Sequence, residues 1–269
     1  MYFGFSTLAC PDWDIDQIIN CCKKNKFQAL ELHHLHLTPI VNDRNALKAL
    51  KEKLEACGVK RLSIGTAVAF HHFKPEDMDA AIDLFKGFLE AGKILNAEYL
   101  RVFPNNVPEG KSKPETVVQI VKNIKSVLHL CTPDSPKLGL ETHGDFYSSK
   151  LIREILEAVN SNRVGAVWDA HHTWRFENES FISTYENLKK HLLQLHFKDS
   201  KKGSEKLEHT IIGEGEFPLD GFAGFLKTVS YNGVLGVEYE KKWHPYMPDS
   251  AILIDGLPAV FDSIDKRIK

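Results

Sequence analysis

The sequence lacks an excess of positive charge. Its 269 residues include 34 lysines and arginines against 36 aspartates and glutamates, which gives a formal net charge of −2. A protein that binds nucleic acid or an anionic membrane through its charge carries a basic patch or stripe, and this balance indicates none. We therefore expect neither nucleic acid nor a membrane surface among its partners.

Long apolar runs are also missing. No stretch approaches the roughly 18 apolar residues of a transmembrane helix, so no such helix is expected. The opening residues, MYFGFSTLACPDW, lack the basic region and long apolar core of a secretory signal. The five cysteines are an odd number without the spacing of a disulfide framework. Reduced thiols and a cytoplasmic location are the expectation.

Short apolar runs alternate with longer amphipathic ones, and no linker or low-complexity segment interrupts them. The predicted strands cover residues 2–6, 27–33, 61–70, 98–103, 138–143, 164–168, 192–199 and 234–239. The predicted helices cover residues 13–25, 42–57, 75–95, 114–131, 148–160, 180–191, 219–230 and 250–268. Eight such units in a chain near the usual barrel length of about 250 residues predict one parallel, eight-stranded (β/α)8 TIM barrel over residues 1–269.

Polar side chains end four successive strands of this barrel. The segment VGAVWDAHHTW shows the pattern, because an apolar run stops at Asp169. Glu141, His196 and Glu238 hold comparable places on strands five, seven and eight. The C-terminal strand ends of a barrel converge on one mouth, where like charges stay ionised together only beside a cation. The set predicts one divalent ion, and its oxygen-rich character suits Mn²⁺, Mg²⁺ or Co²⁺ at least as well as Zn²⁺.

Several motifs resemble one known family over nearly the whole chain. They are FQALELH, LGLETH, VWDAHH, QLHFKD, IIGEGEFPL and GVLGVEYE. The chain is similar to the xylose-isomerase-like TIM barrels, which include sugar isomerases, epimerases and inosose dehydratases. The resemblance implies that Glu141, Asp169, His196 and Glu238 bind the metal and that His172 contacts substrate. It also implies that Glu141 and Glu238 form an acid–base pair, and it allows a homo-oligomer.

That pair predicts isomerisation or epimerisation of a small sugar, ketose or polyol through an enediolate. A carboxylate on each face of the substrate can remove a proton from one side and return it to the other. A chelating divalent ion stabilises the negative charge on oxygen. An inosose-dehydratase-type lyase would share this first step and then expel a hydroxyl group one carbon further on. A barrel that binds sugar without turning it over is a third interpretation.

The same superfamily contains abasic-site endonucleases of the endonuclease IV type, which use three zinc ions. Those enzymes need further histidines at the ends of strands three and four, and an Asp-x-His motif before an Ile-Gly-x-Gly loop. Here strand four ends at Phe103, and the position of that aspartate holds Leu207, two residues before His209. A nuclease is therefore not favoured.

Four further residues are candidates for substrate binding, each with a structural alternative. Lys198 points to the mouth by strand alternation but could instead pair with Asp199 or Glu216. Arg101 lies within strand four, where an unpaired cation is costly, so it reaches either an anionic substrate group or a carboxylate such as Glu31.

The other two candidates are His143, which follows strand five, and Trp13, which could equally be a packing residue. A separate histidine cluster after strand two, His33, His34 and His36, is expected to be a solvated rim.

Overall fold

The computed structural model describes residues 1–203 and 206–268. Ser204 and Glu205, which lie between the predicted strand 192–199 and the predicted helix 219–230, and Lys269 lie outside the described residues.

A closed parallel barrel confirms the predicted fold. The described strands are β1 (Tyr2–Ser6), β2 (Ala29–His33), β3 (Arg61–Ala69), β4 (Tyr99–Phe103), β5 (Lys137–Glu141), β6 (Val164–Asp169), β7 (Leu192–Phe197), β8 (Asp199–Lys202), β9 (Leu207–Thr210) and β10 (Val234–Val237). The barrel order is β1-β10-β7-β6-β5-β4-β3-β2, so β10 is the eighth predicted strand. β8 and β9 form a separate antiparallel hairpin.

Helices follow the barrel strands and cover the outside of the sheet. They are α1 (Ile15–Asn25), α2 (His34–Leu37), α3 (Arg44–Ala56), α4 (Pro75–Leu95), α5 (Lys113–Val127), α6 (Ser149–Val159), α7 (Ala170–Glu177), α8 (Phe181–Leu188), α9 (Leu219–Thr228), α10 (Ser250–Asp255) and α11 (Leu257–Ile268). Capping boxes begin α1 at Asp14 and α5 at Ser112, each satisfying backbone N–H groups that a helix start leaves unpaired. Among the described helices, none combines the length and the apolar character that a bilayer crossing requires.

The structure adds elements that periodicity did not predict. The hairpin of β8 and β9 lies between the predicted strand 192–199 and the predicted helix 219–230, and β8 takes its first residue, Asp199, from the end of that predicted strand. The residues after β6 form α7 at once, because the Asp169 carboxylate caps it by accepting hydrogen bonds from the backbone N–H groups of His171 and His172. The expected helix 180–191 is the shorter α8.

The hydrophobic core lies between the sheet and the helices, whereas charged side chains occupy the barrel interior toward the C-terminal ends of the strands. Arg101 of β4 is in register with Gly65 of β3 and Gly139 of β5. A Cβ atom on Gly65 would lie 2.8 Å from Glu31 Oε1 and 2.9 Å from Arg101 Nη2. Glycine at this position therefore leaves the space in which an arginine and a glutamate meet inside the barrel.

Candidate metal centre and active site

The barrel brings the four predicted metal ligands together. Glu141 ends β5, Asp169 ends β6, His196 lies in β7 and Glu238 follows β10, and all four are buried. Oxygen atoms of the three carboxylates lie within 4.8 Å of one another. The Nδ1 atom of His196 is 3.9 Å from Oε1 of Glu141 and 3.9 Å from Oε1 of Glu238. This spacing is open enough for an ion between the side chains.

Two atoms of this cluster are buried without a hydrogen bond. Glu141 Oε1 and His196 Nδ1 face each other across 3.9 Å, and neither finds a hydrogen-bond partner among the described residues. Buried polar atoms without partners are costly, and a divalent ion would satisfy both. The residues present therefore fit a metal, and they are the four that the sequence indicated; their role as ligands stays a prediction.

Arg101 balances part of the negative charge. Its Nη1 donates to Glu141 Oε2 at 2.9 Å, its Nε donates to Glu31 Oε1 at 3.3 Å, and its Nη2 lies 3.9 Å from Glu238 Oε1. Burial lowers the pKa of Arg101, but the three carboxylates outweigh it and raise the pKa above its usual value. The structural alternative for Arg101, pairing with Glu31, is confirmed, and contact with substrate stays a prediction.

Lys198 is a second buried cation, and it connects carboxylates of two strands. Its Nζ lies 2.5 Å from Asp169 Oδ2, 3.1 Å from Glu238 Oε2 and 2.7 Å from Glu240 Oε1. These contacts raise its pKa well above the usual value although burial opposes them. Lys198 points inward as strand alternation predicted.

The structural alternative for Lys198 named the wrong partners. The Asp199 carboxylate accepts hydrogen bonds from the backbone N–H groups of residues 213, 215 and 217, and Glu216 pairs with Arg175 at 2.6 Å. Asp199 is the first residue of β8, and its carboxylate faces the turn at residues 213–217. The ammonium of the preceding residue, Lys198, instead contacts the buried carboxylates inside the barrel.

The two glutamates of the expected acid–base pair have different electrostatic environments. Burial raises the pKa of Glu238 to about 7, and the negative charge of Glu141 adds to the shift. Burial also acts on Glu141, but Arg101 outweighs it and holds the pKa of that carboxyl well below its usual range. The fold thus gives two similar carboxyl groups different pKa values, as acid–base pairs in enzymes require.

His172 and His143 lie beside the cluster. The Nδ1 of His172 donates to the carbonyl oxygen of Thr142 at 2.8 Å. Burial lowers the pKa of His143 to about 4, and its ring packs against Phe103 with centroids 4.5 Å apart. His143 lines the cavity that opens over the centre and His172 does not, and substrate contact stays a prediction for both.

A cavity of about 460 Å³ opens over the centre. Its lining consists of Leu8, His33, His34, Thr66, Ala67, Arg101, Phe103, Glu141, His143, Glu238, Glu240 and Trp243. Trp13 is not part of this lining but packs against the hydrophobic core, so its predicted substrate contact stays untested.

The prediction that His33, His34 and His36 form a solvated rim is wrong in part. His33 and His36 are buried, and His36 lies 3.0 Å from the hydroxyl of Thr7 and 3.1 Å from the carbonyl oxygen of Cys10. His33 ends β2, and His36 belongs to the short helix α2, which packs against β2 and β3.

Sequence reasoning did not assign three residues of this region to the site. Glu31 contributes a carboxylate from β2, and Glu240 and Trp243 come from the segment after β10. Glu31 could have been found by alternation, because it sits in the middle of the apolar run ALELH. Glu240 and Trp243 follow no periodic pattern, since they lie beyond the strand.

Comparison with known proteins identifies the family. Residues 19–258 match the family described as xylose isomerase-like TIM barrel. The chain belongs to this family. The match confirms the resemblance found in the strand-end motifs.

Individual relatives are distant. Inosose isomerase of Halalkalibacterium halodurans is 24% identical over 246 residues, which cover 86% of this chain and 85% of that protein. The solved D-psicose 3-epimerase from Clostridium cellulolyticum with D-tagatose has a TM-score of 0.82 and 16% identity, covering 100% of both chains. The IOLI protein, solved with a zinc atom, has a TM-score of 0.82 and 20% identity over 100% of this chain and 99% of that chain. At these identities the two solved structures show a shared fold.

Proposed function

We propose that this protein is a divalent-metal-dependent isomerase or epimerase of a small, uncharged ketose or keto-polyol. The observation that carries the proposal is the buried cluster of Glu141, Asp169, His196 and Glu238, with unpartnered atoms of Glu141 and His196 facing each other. The inosose isomerase relative and the psicose epimerase of the same fold act on molecules of this class, which supports the proposal.

The four side chains would hold the metal, as Mn²⁺, Mg²⁺, Co²⁺ or Zn²⁺. When bound, the ion would stabilise negative charge on a substrate oxygen while a proton leaves the neighbouring carbon. Glu141 and Glu238 are then the bases that remove and return this proton, since they approach the cavity from β5 and β10. Arg101 keeps Glu141 in place through the bond at 2.9 Å.

The cavity lining favours an uncharged substrate. Among its described residues, Arg101 is the one permanent cation, and its guanidinium already contacts three carboxylates. Burial lowers the pKa of His33 to about 2 and that of His143 to about 4, so both rings are neutral near pH 7. Away from the metal, a phosphate or carboxylate group would meet Glu240 without an unpaired cation among the described lining residues to offset the repulsion.

The proposal is tested by following deuterium from solvent into D-fructose, D-tagatose and keto-inositols by NMR, with Mn²⁺ added. Wild-type protein is expected to introduce deuterium beside the carbonyl, and Glu141→Gln and Glu238→Gln are expected to abolish this exchange. Glu157→Gln, on the exposed face of α6, is the matched control and keeps full activity.

Three outcomes separate the alternatives. Inversion or carbonyl migration without loss of water supports the isomerase. Loss of water from a keto-inositol identifies a dehydratase that uses the same first step. Unchanged ligands without deuterium, or wild-type turnover in both glutamine variants, would overturn the proposed mechanism.

A further inference from the structure

A second group of metal-ligating side chains lies at the rim of the cavity. His209 comes from β9, and Glu240 and His244 come from the segment that follows β10. One ligand atom from each lies within 4.8 Å of the others, and all three side chains are half-buried. The resemblance to sugar isomerases did not assign this group.

Local backbone geometry places Glu240 and His244 on one face of a turn. The backbone N–H of His244 donates to the carbonyl oxygen of Glu240 at 3.0 Å, which is the bond of one α-helical turn. Residues four apart on such a turn lie side by side, as the two histidines do in zinc-binding H-E-x-x-H helices. His244 Nε2 is 3.6 Å from Glu240 Oε2, a separation that suits two ligands of one ion.

His209 approaches from the hairpin and completes the group. Its ring stacks on His244 with centroids 4.1 Å apart and planes inclined by 26°. The backbone N–H of His209 donates to the hydroxyl oxygen of Tyr246 at 2.8 Å, so the hairpin is already fastened to the segment after β10.

One carboxylate oxygen of Glu240 contacts Lys198, and the other is directed to the rim. Oε1 lies 2.7 Å from Lys198, whereas Oε2 is the atom near His244. Lys198 thereby orients the carboxylate without occupying the position between Glu240 and the imidazoles.

We infer that His209, Glu240 and His244 form a second metal site, selective for Zn²⁺ and similar ions such as Ni²⁺ and Co²⁺. Two imidazoles and one carboxylate are the ligands of open zinc sites, whereas Mg²⁺ prefers oxygen ligands such as the three carboxylates of the central cluster. An ion at the rim would cross-link the hairpin to the segment after β10 beside the exposed Trp243. The inference does not rest on the proposed function, because metal binding is the quantity measured.

The first experiment is calorimetric titration of untagged, chelator-treated protein with Zn²⁺. Wild type is expected to bind two equivalents, and His244→Ala and His209→Ala are expected to bind one each. His129→Ala removes an exposed histidine far from the rim and is expected to keep two. Circular dichroism establishes that each variant is folded.

The second readout is the fluorescence of Trp243, which is 62% exposed and adjacent to His244. Ni²⁺ at the rim is expected to quench it in wild type, while His244→Ala loses this quenching and Trp243→Phe identifies the fluorophore. Mg²⁺ is expected to leave the signal unchanged.

Equal Zn²⁺ stoichiometry in wild type and His244→Ala, or quenching that survives in His244→Ala, would overturn the inference. A single wild-type equivalent that His244→Ala loses would support it.

Discussion

At the scale of single residues, the two buried cations decide how the candidate centre is stabilised. Arg101 and Lys198 are 2% and 1% exposed, and between them they contact Glu31, Glu141, Asp169, Glu238 and Glu240. Five carboxylates in one buried region would repel one another strongly without them. Both cations are thus part of the folded structure, so their charges are not free to attract an anionic substrate.

Replacing Lys198 by methionine tests this role. We expect Lys198→Met to lower the free energy of unfolding by about 3 kcal/mol, because it leaves buried carboxylates without their cation. Urea denaturation measures the change. Lys189→Met is the matched control: it removes an exposed partner of Glu186, and we expect a loss below about 1 kcal/mol. Equal losses in the two variants would contradict the role of Lys198.

At the scale of elements, Asp199 organises the segment that connects β9 to α9. Its carboxylate accepts hydrogen bonds from the backbone N–H groups of Gly213 at 2.8 Å, Gly215 at 3.1 Å and Phe217 at 2.9 Å. A Cβ atom on Gly215 would come within 2.2 Å of Asp199 Oδ1, so the backbone approaches this closely only at glycine. The Gly-Glu-Gly-Glu sequence is therefore a turn wrapped around a buried carboxylate.

We expect Asp199→Ala to release this turn. The backbone N–H groups of Ser200, Gly213, Gly215 and Phe217 lose their carboxylate acceptor, which costs about 2 kcal/mol or more and exposes residues 211–217 to protease. Limited proteolysis with mass spectrometry of the fragments measures the change. Asp43→Ala, which removes the cap of α3, is the control: a loss of about 1 kcal/mol without new cleavage at 211–217 is expected. Wild-type cleavage rates in Asp199→Ala would contradict the role of Asp199.

At the scale of the whole molecule, buried neutral histidines make stability depend on pH. Burial lowers the pKa of His33 to about 2, and the charge of Arg101 adds to the effect. The unfolded chain binds a proton at His33 below about pH 6.5, whereas the folded chain does not. Stability contributed by the neutral ring is therefore full above about pH 6.5 and is lost as the pH falls towards the folded pKa.

We expect the free energy of unfolding to fall between pH 6 and pH 4, with His33 contributing about 1 kcal/mol per pH unit. Urea denaturation at several pH values measures the slope. His33→Gln is expected to reduce the slope by that amount, whereas His129→Gln, at an exposed position, leaves it unchanged. Identical slopes in wild type and His33→Gln would show that His33 does not titrate in this way.

The sequence by itself determined the barrel and the positions of the four candidate ligands. Strand and helix periods are local properties, and parallel strands in a barrel must bring their C-terminal ends to one mouth. Glu141, Asp169, His196 and Glu238 could therefore be assigned from their places at the ends of apolar runs.

Tertiary structure alone decided which groups neutralise this centre and what surrounds it. The contacts of Lys198 with Glu238 and Glu240 depend on the register of β7 beside β10 and on the path of the chain beyond each strand. The proximity of His209 and His244 likewise joins a hairpin and a turn that no periodic pattern relates. Such partners lie tens of residues apart, and only closure of the barrel brings them within bonding distance.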